Sequence, residues 1–352
     1  MASRSFSGFR SETEFDLREK DAAAIIWVAA FHCRDFDRAV IWFPPDVHRD
    51  VQPSISGSFA RPSNAGLGSL DQLSLELLFE VCRQLDLLSL FKFRQVNLYA
   101  RLVVNSLLEY KKTISYGLNP LCALLRTRLG SGVTLSDFYR VMRTKNCELC
   151  GHFGGFVFLP TWTRCCFDCL QQAPETRMET LDSIQKRLRL TPQEVLQIGS
   201  FQPLSGFYSM DESWHDPRFK LVSIQRAASV LQREATDEEQ RQAQPRNSTF
   251  QYMASCALPF FDVGTGMIEH GISCAGCQLA VERIMNREER SRFTIPKYIV
   301  DYKGFLEHWE WYTTHKVFSH EGFLEHFKWC KEAQDLYTSS EKGTVEPAER
   351  PS

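Results

Sequence analysis

Leu73-Ser-Leu-Glu-Leu77-Leu-Phe-Glu-Val81-Cys-Arg-Gln-Leu85-Asp-Leu-Leu-Ser-Leu90-Phe-Lys-Phe93-Arg-Gln-Val96-Asn97 is the stretch whose period decides the fold class. Leu73, Leu77, Leu78, Val81 and Leu85 recur every three or four residues, the signature of one helix face. Ser74 stands where a helix N-cap is needed, and Glu76 lies in the first turn, where the helix dipole favours an anion. After a break at residues 86–89, a second helical set follows in Leu90, Phe93, Val96, Leu98 and Leu102, with Arg94 and Arg101 off its stripe. A third helix is expected over 105–112. Three short helices with brief connections make a small all-α module at 69–114.

Working outward, the chain of 352 residues is long enough for two or three domains. Residues 1–68 show apolar pieces but no sustained period, and 53–68 are rich in Pro, Ser and Gly. They are expected to form a weakly structured extension and linker. Further helix is expected over 120–145. Thr191-Pro-Gln-Glu194 reads as a helix start, with Thr at the N-cap, Pro at N1 and Glu at N3. Residues 234–248 read as a loop, 250–264 and 293–302 as strand-like stretches, and 338–352 as a disordered tail. Gly304-Phe-Leu-Glu-His308-Trp-Glu-Trp311 is echoed eighteen residues later by Gly322-Phe-Leu-Glu-His326-Phe-Lys-Trp329. The fold class expected is mainly α with small β elements: a three-helix module followed by an α+β region over 115–337 stabilised by metal.

Composition narrows the function classes. Hydrophobic residues at 43% and charged residues at 24% describe a globular chain. A net charge of −2 gives no footprint for nucleic acid or an anionic membrane surface. No segment approaches the roughly 20 apolar residues of a membrane span. The apolar run 22–31 follows acidic residues rather than the basic region of a signal peptide, so a cytoplasmic or nuclear location is expected.

Twelve cysteines in such a compartment point to metal rather than disulfides, because six of them form three Cys-x-x-Cys pairs. The first cluster is Cys147-Glu-Leu-Cys150-Gly151, then fifteen residues from 151 to 165, then Cys166-Phe-Asp-Cys169. Two knuckles of thiolates converging on one ion describe a closed, tetrahedral zinc site, with a hairpin over 153–163 expected to bring them together. Cys165 competes with Cys166 for one position, and His152 is a further candidate. The second cluster joins Cys274-Ala-Gly-Cys277 to His326 and Cys330, placed at i and i+4 of one helix face, with His308, His315 and His320 as rivals. One or two structural zinc ions are expected.

The leucine-rich module, Leu73 to Val81 and then Leu85 to Asn97, resembles the F-box. The family opens on a Leu-Pro pair, where this chain has Leu73-Ser74. From there to residue 336, the chain also resembles a set of F-box proteins of filamentous fungi. Those carry a Cys-x-x-Cys-Gly-x-Phe-Gly-Gly segment, a Cys-Cys-x-x-Cys segment and a Gly-Phe-Leu-Glu-His-Phe-x-x-Cys helix. The resemblance implies docking of the Skp adaptor, and through it the cullin scaffold, by Leu73, Leu77, Leu78, Val81, Leu85, Leu90, Phe93 and Val96. It implies a non-catalytic substrate receptor of a ubiquitin ligase that holds a protein target through the region beyond the F-box.

Two other classes compete. The same leucines suit the core of a larger helical domain. The paired cysteines suit a zinc ribbon associated with nucleic acid or chromatin, although Glu148, Asp168 and Glu175 offset Arg143, Lys145, Arg164 and Arg177 around it. An enzyme is not expected: the chain has no His-Glu-x-x-His helix, no phosphate-cradling glycine loop and no Gly-x-Ser-x-Gly elbow.

Overall fold

The computed structural model describes residues 11–57, 66–188, 190–231, 249–285 and 316–347. It is mainly helical with small antiparallel sheets and divides into two units. One comprises residues 34–268, the other the described residues up to Cys33 and from Glu269 onward. The expected loop at 234–248, the strand-like stretch 293–302 and the first copy of the repeat at 304–311 lie outside the described residues.

The chain opens on α1 (Ala22–Ala29), β1 (Ala30–Phe31), α2 (Arg34–Ala39) and α3 (Pro45–Ser56). This corrects the expectation of a weakly structured extension over 1–68. The physical reason is legible afterwards. Helix α1 reads Ala-Ala-Ala-Ile-Ile-Trp-Val-Ala, apolar all round, so it shows no amphipathic period although it buries one side, Ile25, Val28 and Ala29, and leaves Trp27 in solvent. Helix α3 takes Pro45 at its first position, where no N–H is needed, and Pro53 only in its last turn.

Six helices follow: α4 (Leu75–Gln84), α5 (Leu87–Arg94), α6 (Leu98–Ser106), α7 (Leu108–Tyr116), α8 (Leu118–Thr127) and α9 (Leu135–Met142). Side-chain oxygens decide where four of them begin. Ser74, Asp86, Asn97 and Thr134 each accept a backbone N–H of the first turn. The Asn97 cap, with Oδ1 2.8 Å from the Ala100 nitrogen, divides the expected second helix in two. The third expected helix runs Leu108–Tyr116 rather than 105–112. The Leu87 nitrogen donates to the Val133 carbonyl at 2.9 Å, and α9 packs against α4 and α7. The boundary drawn at 114 is therefore not a break in packing.

Beyond α9 come β2 (Phe156–Phe158), β3 (Thr163–Cys165), α10 (Phe167–Gln172), β4 (Met178–Thr180), α11 (Leu181–Leu188) and α12 (Pro192–Ile198). Next are β5 (Gly206–Tyr208), β6 (Ser213–His215), β7 (Leu221–Ser223), α13 (Ile224–Leu231) and β8 (Ser255–Ala257). Strands β3, β2 and β8 form one antiparallel sheet in that order, β4 pairs with β7, and β5 with β6. The Thr191–Glu194 capping box forms as expected: each side chain reaches the other's backbone N–H.

The second unit closes the chain with β9 (Ser273–Cys274), α14 (Ala275–Met285), α15 (His320–Phe327) and α16 (Lys331–Ser339). Strand β1 pairs antiparallel with β9, Ala30 opposite Cys274. Ile25 and Ala29 of α1 share a core with Phe323, Phe327, Ala333 and Tyr337. The tail expected to be disordered is ordered to residue 347. Ser340 is fully buried, and its hydroxyl accepts the Gly343 N–H at 3.0 Å.

Candidate metal centres and an exposed leucine face

Two groups of four ligand-bearing side chains converge in the structure. Cys147, Cys150, Cys166 and Cys169 form one, and Cys274, Cys277, His326 and Cys330 the other. Within each group the ligand atoms lie within 4.8 Å of one another. All eight residues expected as ligands from the sequence are in these groups.

The first centre is built from two knuckles and the hairpin between them. Cys147 and Cys150 sit in a turn closed by the Gly151 N–H donating to the Cys147 carbonyl at 2.9 Å. Gly151 has φ +79, a left-handed conformation that costs glycine nothing. Strands β2 and β3 return the chain as expected, and Cys166 caps α10, its Sγ accepting the Cys169 N–H at 3.4 Å. Cys150 Sγ and Cys166 Sγ are 3.6 Å apart. Cys165, the competing residue, is not among the four: it is completely buried at the end of β3, opposite Phe156. His152 stands beside the centre, its Nδ1 3.4 Å from Cys150 Sγ.

Arg164 registers the two knuckles, a role that no local pattern around it announces. Its backbone N–H donates to Glu148 Oε1 and its carbonyl accepts the Glu148 N–H, both at 3.0 Å. The side chain is completely buried, and its guanidinium donates to the carbonyls of Gly154, Val141, Leu258 and Pro259 at 2.6, 3.1, 2.8 and 3.4 Å. Burial pulls its pKa down to about 9, so it remains a cation at neutral pH.

The second centre is enclosed differently. Cys274 ends β9, and Cys277 lies in the first turn of α14 with its N–H donating to Cys274 Sγ at 3.4 Å. His326 Nε2 lies 3.4 Å from Cys277 Sγ, and Cys330 Sγ lies 3.7 and 3.8 Å from the sulfurs of Cys274 and Cys277. The expectation that His326 and Cys330 share one helix face is corrected. Helix α15 ends at Phe327, and Cys330 is the N-cap of α16. The spacing works because the chain turns between the two helices. Phe318 stacks on the His326 ring at 4.9 Å and fixes its orientation. Among the rivals, His320 is exposed at the start of α15, outside the centre. His308 and His315 lie outside the described residues.

The thiols within each group perturb one another. In the first, the Cys166 thiol donates to Cys147 and, with nearby backbone N–H groups, holds the Cys147 thiolate down to about 4. In the second, the thiols of Cys274 and Cys277 hold Cys330 well below the ordinary thiol value. A divalent ion would displace the protons that such crowded thiols share. Four-ligand closed sets rich in thiolate suit one structural metal ion each, with no open position for a substrate.

No protein-family model, no curated protein and no solved structure matches this chain.

The eight residues expected to dock an adaptor are divided by the structure. Leu77, Val81 and Val96 are exposed, at 54%, 43% and 66%. Leu73, Leu85 and Phe93 are half-buried. Leu78 and Leu90 are buried at 2% and 0%, which corrects their assignment: they belong to the core under the helices and present nothing to a partner. Leu75, Leu98, Leu102 and Leu108 are exposed too, and the periodicity alone had not marked them as surface. Among the described residues, no helix is long and apolar enough to cross a membrane.

Proposed function

We propose that this chain is an F-box-type substrate receptor of a cullin-RING ubiquitin ligase, with helices α4 to α6 docking the Skp adaptor. The observation that carries the reading is the row of aliphatic side chains left in solvent on those helices: Leu77 and Val81 on α4, Val96 before α6, and Leu98 and Leu102 on α6. Single exposed leucines are ordinary, but a run of them on adjoining short helices fits a partner's apolar groove. Burying one such side chain is worth about 1.5–3 kcal/mol, so four or five support a stable complex. The eight-ligand set is read as two structural zinc ions, since soft thiolates with imidazole in closed tetrads suit zinc. They would stiffen the region that holds a protein target. The receptor itself performs no bond chemistry; it raises the local concentration of the target near the ubiquitin-loaded enzyme.

The test is capture of purified Skp adaptor by the full chain and by a Leu77→Asp, Val96→Asp variant. Both positions are exposed, so the variant keeps its fold while placing carboxylates where an apolar contact would form. Wild type retaining the adaptor and the metal-loaded variant releasing it is the expected result. Equal capture by both, or none by wild type, would overturn the reading.

A further inference from the structure

The hairpin of β5 and β6 turns two large aromatic side chains to solvent. Phe207 and Trp214 are 57% and 60% exposed, directly opposite one another across the strands, with ring centroids 5.0 Å apart in an edge-on arrangement. The opposite face of the same hairpin is turned inward. Tyr208 is buried and donates its hydroxyl to the Leu204 carbonyl at 2.7 Å, while the Ser209 nitrogen bonds the Ala39 carbonyl at 2.9 Å. Side chains alternate along a strand, so Ser205 and Asp216 lie on the aromatic face two residues along the register. Ser205 Oγ donates to Asp216 Oδ1 at 2.5 Å, which holds that carboxylate beside Trp214.

By the same alternation, Glu212 and Asp216 stand on either side of Trp214 along β6, and the first cations after them are Arg218 and Lys220. From Ser205 to Asp216 the hairpin carries Asp211, Glu212 and Asp216, all exposed, and no lysine or arginine. The Asp211 carboxylate is turned to the hydroxyls of Ser209 and Ser213, on the Tyr208 side of the hairpin, and takes no part in the aromatic face. An indole face flanked by carboxylates is the surface that attracts a guanidinium or ammonium, by the ring quadrupole and by Coulomb attraction together. A bare cross-strand aromatic pair could also simply stabilise a short two-stranded ribbon. That role does not call for acidic neighbours.

We propose that the Phe207–Trp214 face of this hairpin docks a basic peptide segment of a protein partner, with an arginine or lysine side chain seated over Trp214 beside Asp216. The inference rests on the reading of the chain as a receptor that holds a protein target, and it names the chemistry of the segment held. A cationic side chain over Trp214 is recognised by its charge and its flat or compact head, and Phe207 supplies the apolar contact for the residue next to it.

The experiment uses the full chain loaded with zinc and fluorescein-labelled dodecapeptides of fixed flanks with Arg, Lys, Ala or Glu at the centre, read by fluorescence anisotropy. Arg- and Lys-centred peptides should bind, and the Glu-centred peptide should not. Trp214→Ala and Asp216→Asn should each weaken binding about tenfold, the scale of a partly desolvated cation–π contact. Metal content and thermal midpoint are measured on the same variants. A fallen midpoint with unchanged peptide affinity assigns the aromatic pair to ribbon stability and overturns the proposal. So does absence of binding by every peptide, or equal binding by the Glu-centred one. Adaptor capture is run in parallel. Adaptor bound without any peptide bound removes this inference alone, whereas peptide bound without adaptor leaves the docking face and removes the ligase reading.

Discussion

Arg94 Nη2 donates to the carbonyl oxygen of Ile55 at 2.7 Å, tying the end of the N-terminal helix α3 to the interior face of α5. The same nitrogen reaches the Ser54 carbonyl at 3.0 Å, and Nε donates to Asn105 Oδ1 at 2.9 Å. Arg101 bonds Ser54, Asn105 bonds the Gly57 carbonyl, and the Tyr110 hydroxyl bonds Ile55. Four side chains of the helical array thus take backbone acceptors from residues 54–57. Arg94, expected off the apolar stripe and therefore in solvent, is buried because of them.

A chain starting at residue 61 should consequently fail to hold its fold. It leaves buried donors of Arg94, Asn105 and Tyr110 without acceptors, each at about 1–3 kcal/mol. It also removes Ile25 and Ala29 from the core around Cys274 and Cys330. The expected outcome is loss of a cooperative thermal transition and a fall in bound metal from two ions to one or none. A truncated chain with full metal content and an unchanged midpoint would contradict it.

Replacing Arg164 with methionine keeps the approximate length but strips hydrogen bonds from four buried carbonyls. Leaving buried polar groups unpaired places the cost at about 3 kcal/mol or more. Metal should be lost from the Cys147 centre while the Cys274 centre keeps its ion, since Arg164 belongs to the unit holding the first. Metal analysis of the variant, and of Arg164→Met combined with Cys274→Ser, separates the two.

The centres differ in access, and that difference predicts the order of metal release. Each centre has two buried ligands, but Cys150 of the first is exposed, whereas the remaining ligands of the second, Cys277 and His326, are half-buried. A colorimetric chelator should therefore draw metal in two phases, the faster one abolished by Cys147→Ser with Cys150→Ser. A single phase in the wild type would show that burial does not control release.

Gly276 sits where α14 meets α16, and a Cβ there would collide with the backbone nitrogen of Ala333. Backbone cannot swing aside as a side chain can, so Gly276→Ala should push α14 from α16 and loosen the Cys274 centre. A lowered thermal midpoint with faster second-phase metal release is expected, and unchanged release would contradict the close approach.

Burial depresses the pKa of His48 below the ordinary 6.5, with the Arg126 charge adding to it and an Asn119 hydrogen bond opposing. The folded state then binds the proton less readily than the unfolded chain. Stability from this group is complete above 6.5 and declines as pH falls below that value towards the depressed folded pKa. The thermal midpoint should drop less between pH 7.5 and 5.5 in His48→Gln than in the wild type. An equal drop in both would assign the acid sensitivity elsewhere.

Local chemistry was enough for much of this. The three Cys-x-x-Cys spacings named six of the eight residues of the two tetrads, because a two-residue gap favours a knuckle whatever the surroundings, whereas His326 and Cys330 were paired through a shared helix face that the chain does not form. Ser74 and the Thr191–Glu194 box were legible as helix starts, because capping is satisfied within four residues. What failed depended on partners distant in sequence. Helix α1 has no apolar face to read because it is apolar all round, and the packing of α15 and α16 against it decides which side is covered. Periodicity placed Leu77 and Leu78 on the same stripe, yet the tertiary packing leaves one in solvent and buries the other. A stripe marks which residues avoid water, and only the neighbouring helices decide which of them are already covered. The burial of Arg164 and Arg94 was not legible for the same reason: their acceptors are carbonyls from segments up to 95 residues away in the chain, which no local pattern announces.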